Sequence, residues 1–189
     1  MVHGHRFEAL LTIALTTGMR KGELLALRWQ DIDVANRSLH IRRSVNRFPG
    51  YGFVENEPKT TTSRRKIVLP LFAIEALKQH KAFQDEARQK VGTAWQDHDL
   101  VFCNTIGGFQ DVKHLRVSFK RLLKEAGLPE IRFHDHRHSA ATILLSMGVN
   151  VKVIQELLGH SQTSMTLDIY THVLPGMQNE AMDKWDDLL

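Results

Sequence analysis

The chain carries one cysteine, Cys103, in 189 residues, so no disulfide can close within it. A lone thiol fits a reducing compartment, where it serves as a small buried apolar group. Long apolar runs are also missing; none approaches the ~20 residues that a membrane-spanning helix needs. The first residues, Met1-Val2-His3-Gly4-His5-Arg6, lack the apolar stretch and cleavage site of a secretory leader. Together these absences lead us to expect an intracellular protein with no membrane partner. No internal repeat or low-complexity tract is visible. Tyrosine is scarce, with two residues, Tyr51 and Tyr170. Tyr51 sits in a glycine-bearing loop without chemical partners nearby in sequence, whereas Tyr170 closes a long series of basic and histidine motifs.

Hydrophobic residues make up 42%, which at this length suits one domain with a real core. Net charge is +4 with histidine neutral, and its distribution is uneven. From Arg20 to Lys66 there are eleven Lys/Arg against five Asp/Glu, a local net of +6. From Pro175 to Leu189 there is one Lys against four Asp/Glu, a net of −3. A basic body draws polyanions, while an acidic tail suits protein contact.

Apolar periodicity predicts a helix over about 5–17, ended by Gly18, and a short second helix over 21–27. Asp31-Ile32-Asp33 and Asn36 read as turn chemistry. Leu39–Val45 and Arg65–Leu69 read as strands, with Pro49-Gly50-Tyr51-Gly52 as a loop between them. Helices are expected over 71–90 and 111–126, the latter stopped by Gly127 and Pro129. Others are expected over 134–147, over 151–158 with Asn150 as its N-cap, over 163–172 and over 178–189. The fold class is mainly α with one small antiparallel sheet of about three strands (α+β).

The chemistry-bearing residues fall in short clusters. Arg20 lies in Thr17-Gly18-Met19-Arg20-Lys21-Gly22-Glu23. Lys59 opens Lys59-Thr60-Thr61-Thr62-Ser63-Arg64-Arg65. His134 and Arg137 share His134-Asp135-His136-Arg137-His138. His160 closes Leu157-Leu158-Gly159-His160, and Tyr170 stands in Asp168-Ile169-Tyr170-Thr171-His172. Two arginine forks can clamp phosphate oxygens and hold the charge that builds on them during attack. Histidine can donate a hydrogen bond or shuttle a proton near neutral pH. A phenol can attack and form a covalent intermediate, and a lysine can protonate a departing sugar hydroxyl. The i, i+3 spacing of His134 and Arg137 puts them on one face if the segment is helical. The alternation of His134, His136 and His138 argues against a metal shared among them, because i and i+2 diverge on a helix.

These five motifs, in this order, resemble those of the tyrosine recombinases, most closely the integrases of phages and integrative elements. The likeness runs from about Phe7 to Val173. The resemblance implies that Arg20 and Arg137 bind the scissile phosphate and that Lys59 on a β-hairpin is the general acid. It implies that His134 and His160 assist proton transfer and phosphate binding, and that Tyr170 is the nucleophile of a 3′-phosphotyrosine link. Glu23 would support Arg20 structurally. Double-stranded DNA is the implied substrate, with no cofactor, metal or ATP. A monomer would assemble into a tetramer on two duplexes in the bacterial cytoplasm. Arg64, Arg65, Lys113, Arg116 and Lys120 are candidate DNA contacts. Residues 1–174 would form the catalytic core and 175–189 a tail helix docking on a neighbouring protomer.

The chain departs from the family pattern at His136, where leucine is common. Family integrases also carry N-terminal DNA-binding domains ahead of this region, so the sequence reads as an isolated catalytic domain with weak DNA affinity. A type IB topoisomerase shares the chemistry and is the alternative enzyme reading. A DNA-binding module that has lost catalysis is a second alternative, and a metal-dependent hydrolase a third.

Overall fold

A computed structural model describes residues 5–57 and 64–159. Helix α1 (Glu8–Thr17) buries Leu10, Ile13, Ala14 and Thr17, a stripe at three- and four-residue spacing, while Leu15 faces solvent. Its chain turns through Gly18 at φ 59° into the extended Arg20, which caps the short α2 (Lys21–Leu25). Leu24, Leu25 and Leu27 then enter the core.

The sheet region departs from expectation. Instead of one strand over 39–45, the chain makes β2 (Ser38–Ile41), breaks, and continues as β3 (Ser44–Phe48). The break falls at Arg42 and Arg43, whose guanidiniums turn to the buried Asp31 carboxylate at 3.6 and 2.6 Å. Ile32–Asp33, read as a turn, is a short strand β1 that pairs with β2, and β5 (Arg65–Val68) pairs on the other side of β2. All pairs are antiparallel. The stretch after Pro49 is also more than a loop. It turns at the tip of a hairpin in which β3 pairs with β4 (Gly52–Asn56), a separate two-stranded sheet that sequence periodicity missed. Tyr51, at that tip, is 84% exposed.

The long α3 (Leu71–Val91) starts after Pro70, whose fixed φ suits a helix entrance, and packs its first turns on α1 through Ala73, Ile74 and Leu77. In α4 (Val112–Glu125) the Asp111 side chain accepts from the Lys113 backbone N–H at 2.6 Å, and Leu115, Phe119 and Leu123 face inward. Helix α5 begins at His136 (His136–Ser146), later than expected, because Phe133–Asp135 form a separate 3-10 turn. The last described helix, α6 (Val151–Leu158), is bounded as its sequence signals predict. Asn150 accepts from the Lys152 N–H at 2.8 Å, and Gly159 ends it at φ 66°.

One core joins α1, α2, the three-stranded sheet, α3 and α4. A smaller one, of Ala141, Leu145, Ile154 and Leu158, locks α6 onto α5. Since α5 also packs on α1, the end of α6 is brought against the Gly18 turn. Among the described residues no helix is long and apolar enough to cross a membrane. The expected helices over 163–172 and 178–189 lie outside the described residues.

Candidate functional site

The C-terminal turn of α6 is where three distant arginines converge. Arg65 from β5 donates through Nε to the Leu157 carbonyl at 2.7 Å. Arg137 from α5 donates through Nη2 to the Leu158 carbonyl at 2.7 Å. Arg20, at the start of α2, donates through Nη2 to the Gly159 carbonyl at 3.0 Å. Three consecutive carbonyls thus each take one guanidinium. A helix end leaves its last carbonyls without intrahelical partners and carries negative partial charge, so cations are held well there.

Glu23 ties the cluster together from the other side. Its carboxylate accepts from the Arg20 backbone N–H and from Arg20 Nη1, both at 2.9 Å. It also accepts from Arg65 Nη2 at 2.9 Å and Nη1 at 3.3 Å. Burial alone raises the Glu23 pKa, but the hydrogen bonds and charge of Arg65, with donation from Arg20, outweigh it. The carboxyl is therefore held below its ordinary value of 4.5. Burial first, then the like charges of Arg20 and Arg65, pushes the Arg137 guanidinium down to about 9, with Glu23 opposing. It stays charged at neutral pH. Among the described residues the cluster brings three guanidiniums to one carboxylate, Glu23.

Exposure divides the arginines. The Arg20 side chain is 40% exposed and Arg65 only 7%. Arg137 is buried, with Nη1 donating to the Gly18 carbonyl at 2.7 Å. Glycine at position 18 serves two needs: it takes the left-handed φ, and a Cβ there would overlap Leu158 Cδ2. His136 is buried beside it. One ring nitrogen lies 2.9 Å from the Met19 carbonyl oxygen and the other contacts the Phe133 carbonyl. The departure from leucine is thus a polar staple that binds α5 to the turn carrying Arg20.

The predicted residues are brought together in part. Arg20, Glu23 and Arg137 meet as expected. His134 does not share a helix face with Arg137, because it belongs to the 3-10 turn before α5 and is exposed while Arg137 is buried. Burial, then the positive neighbours His136, Arg137 and His138, lowers the His134 pKa from 6.5, with Asp135 opposing. Within the alternating triplet, His136 points inward while His134 and His138 are exposed. Lys59, His160 and Tyr170 lie outside the described residues.

Of the candidate DNA contacts, Arg65 is only 7% exposed, and its guanidinium donates to Glu23 and to the Leu157 carbonyl. The signal was present, because Arg65 alternates with buried Ile67 and so shares its side of β5. Arg64 is exposed and paired with Glu57 at 2.6 Å. Lys113, Arg116 and Lys120 are all exposed along α4, and Lys120 is paired with Glu130. Arg64 and Arg65 also line a cleft of about 610 Å³ between the two sheets, with Arg42, Arg43 and Lys66 facing Glu55 and Glu57, which the sequence did not reveal.

The phage integrase family model matches residues 2–177. A tyrosine recombinase XerC-like protein of Caldanaerobacter subterraneus is 37% identical, across 98% of this chain and 50% of that protein. The ICEBs1 integrase of Bacillus subtilis is 33% identical, across 97% and 49%. The chain thus spans about half the length of these curated relatives. Among solved structures, the Tn1549 transposon integrase in complex with transposon right-end DNA superposes with a TM-score of 0.80 at 26% identity, covering 95% of this chain and 58% of that one. XerH recombinase bound to a palindromic difH substrate, in a post-cleavage complex, gives 0.64 at 26% identity over 98% and 48%.

Proposed function

The chain belongs to the phage integrase family, and from that premise we propose that it is the strand-cleaving and rejoining unit of a tyrosine-type DNA recombinase. In this reading Arg20 and Arg137 hold the two non-bridging oxygens of a scissile phosphate. The Tyr170 phenol oxygen attacks phosphorus and the bond to the 5′-oxygen breaks. Lys59 supplies the proton that the departing hydroxyl takes. The strand is left joined through its 3′-phosphate to tyrosine, and a 5′-hydroxyl from a second duplex reverses the step to complete exchange. His134 and His160 assist proton transfer and phosphate binding.

The observation that carries this reading is the meeting of Arg20 and Arg137 at the end of α6, beside the buried Arg65–Glu23 ion pair. Fixed cations in a partly buried site hold a developing phosphorane charge without reorganising. Position supports the rest, since Gly159 ends α6 and His160 follows directly. The bound DNA in the Tn1549 integrase and XerH structures supports double-stranded DNA as the substrate. Assembly as a tetramer on two duplexes, from a chain monomeric alone and with residues 175–189 docking on a neighbour, belongs to the same proposal.

The test is adduct formation on a suicide duplex that releases a short fragment after cleavage. A covalent protein–DNA band is expected in the presence of a chelator and without ATP, and Tyr170→Phe is expected to abolish it. Relaxation of supercoiled DNA without joining of two sites would move the reading to a type IB topoisomerase. Failure of the native chain to form any adduct on its own junction sequence would overturn both.

A further inference from the structure

We infer that Arg65 is a positioning residue for strand cleavage, a buried guanidinium that sets the relative placement of Arg20, the end of α6 and the strand that follows Lys59. This rests on the recombinase reading above and deepens it.

All three guanidinium nitrogens of Arg65 are engaged inside the protein. The two terminal nitrogens take Glu23 as a two-pronged pair at 2.9 and 3.3 Å, and Nε takes the Leu157 carbonyl at 2.7 Å. Both partners of the ion pair are nearly fully buried, at 7% and 6% exposure. A buried fork with all three nitrogens held by a carboxylate and a helix-end carbonyl is a tie between segments. It fixes direction as well as charge, which a lysine cannot do.

What it fixes is informative. Glu23 is the same carboxylate that receives the Arg20 backbone and side chain, so Arg65 sets the carboxylate and the carboxylate sets Arg20. On its other side Arg65 supports the α6 terminus closely. A Cβ on Gly159 would stand 2.8 Å from Arg65 Nη1 and 3.1 Å from Cζ. Gly159 is the residue before His160, and Arg65 opens β5 six positions after Lys59. One side chain therefore ties together three segments that reach the proposed chemistry. Misplacing a reacting group by about 1 Å can cost on the order of 100-fold in rate.

The experiment compares Arg65→Lys and Arg65→Gln with the native chain in three measurements: cooperative melting, duplex affinity across a salt series, and single-turnover adduct formation on a suicide duplex carrying the junction of the element that encodes the chain. Both variants are expected to melt cooperatively and to hold the duplex with native affinity and salt slope. They are expected to form the adduct on the order of 100-fold more slowly. Lysine at 65 is expected to rescue little, and Glu23→Gln combined with Arg65→Gln to cost no more than the worse single change. Three results overturn the inference. One is an adduct rate within about threefold of native in Arg65→Lys. Another is weakened binding with a salt slope shallower by about one, the mark of a lost phosphate contact. The third is loss of the folded state in both variants, which assigns Arg65 to stability alone. A native chain that forms no Tyr170 adduct strikes the recombinase reading instead, before Arg65 is tested.

Discussion

Gly18 and Leu158 touch so closely that a Cβ on the glycine would overlap Leu158 Cδ2. The turn leading to Arg20 and the last turn of α6 therefore meet at a point where no side chain fits. That contact lets the carbonyls of Gly18 and Leu158 take the two ends of one guanidinium, Arg137.

Substituting Gly18 tests this junction. Alanine there meets a left-handed backbone, φ 59°, which costs about 1–2 kcal/mol, and forces Leu158 aside, which costs a further ~1–3 kcal/mol. Urea unfolding of Gly18→Ala is expected to show a loss of roughly 2–5 kcal/mol. A loss below about 1 kcal/mol contradicts the described approach.

Glu23 predicts a pH dependence with a definite sign. Its folded pKa lies below the ordinary 4.5, so the ionised carboxylate stabilises the fold above about pH 4.5. That stability is lost as pH falls through the lower folded value. At neutral pH, Glu23→Gln leaves the buried Arg65 guanidinium without its counter-charge, and breaking a buried pair costs about 3–5 kcal/mol. The stability gap between native and variant is expected to be flat above about pH 4.5 and to shrink below it. A gap that widens in acid contradicts the assignment.

His136 gives a third test, because leucine at this position keeps the volume and removes the polar staple. The Met19 carbonyl would lose its described side-chain partner, at a cost of about 1–3 kcal/mol. Chemical denaturation of His136→Leu is expected to fall in that range. A neutral or stabilising change would mean that packing alone decides the position.

The sequence was most legible where local signals fix helix ends. Asn150 and Gly159 bound α6, and Gly18 ends α1, because caps are read from neighbours within a turn. Strand pairing was less legible. The β3–β4 hairpin was hidden because Gly52 and the polar residues of β4 carry little strand character, and pairing with β3 supplies what propensity lacks. Among site residues, the Arg20–Glu23 pairing was expected from the family resemblance. The Arg65–Glu23 pair was not, since its members are 42 positions apart and arginine is read as a surface residue by default. His134 lies in the 3-10 turn ahead of α5 and is exposed while Arg137 is buried, a difference that residue spacing does not reveal.

The exposed cations of α4 are predicted to act differently from the buried cluster. Lys113 and Arg116 lie exposed on this helix. If they contact phosphate, Lys113→Gln and Arg116→Gln should each reduce the slope of log affinity against log salt by about 0.9, whatever the duplex sequence. Arg65→Gln should leave that slope unchanged. Equal slopes for native and α4 variants would remove this face from the DNA contact.

The most direct test of the central claim uses the scarcity of tyrosine. The trapped protein–DNA adduct is digested, and the peptide that carries the nucleotide is identified by mass spectrometry. Linkage of a 3′-phosphate to Tyr170 is the predicted result. Linkage to Tyr51, which stands 84% exposed at a hairpin tip, or to a 5′-phosphate at either residue, would contradict it.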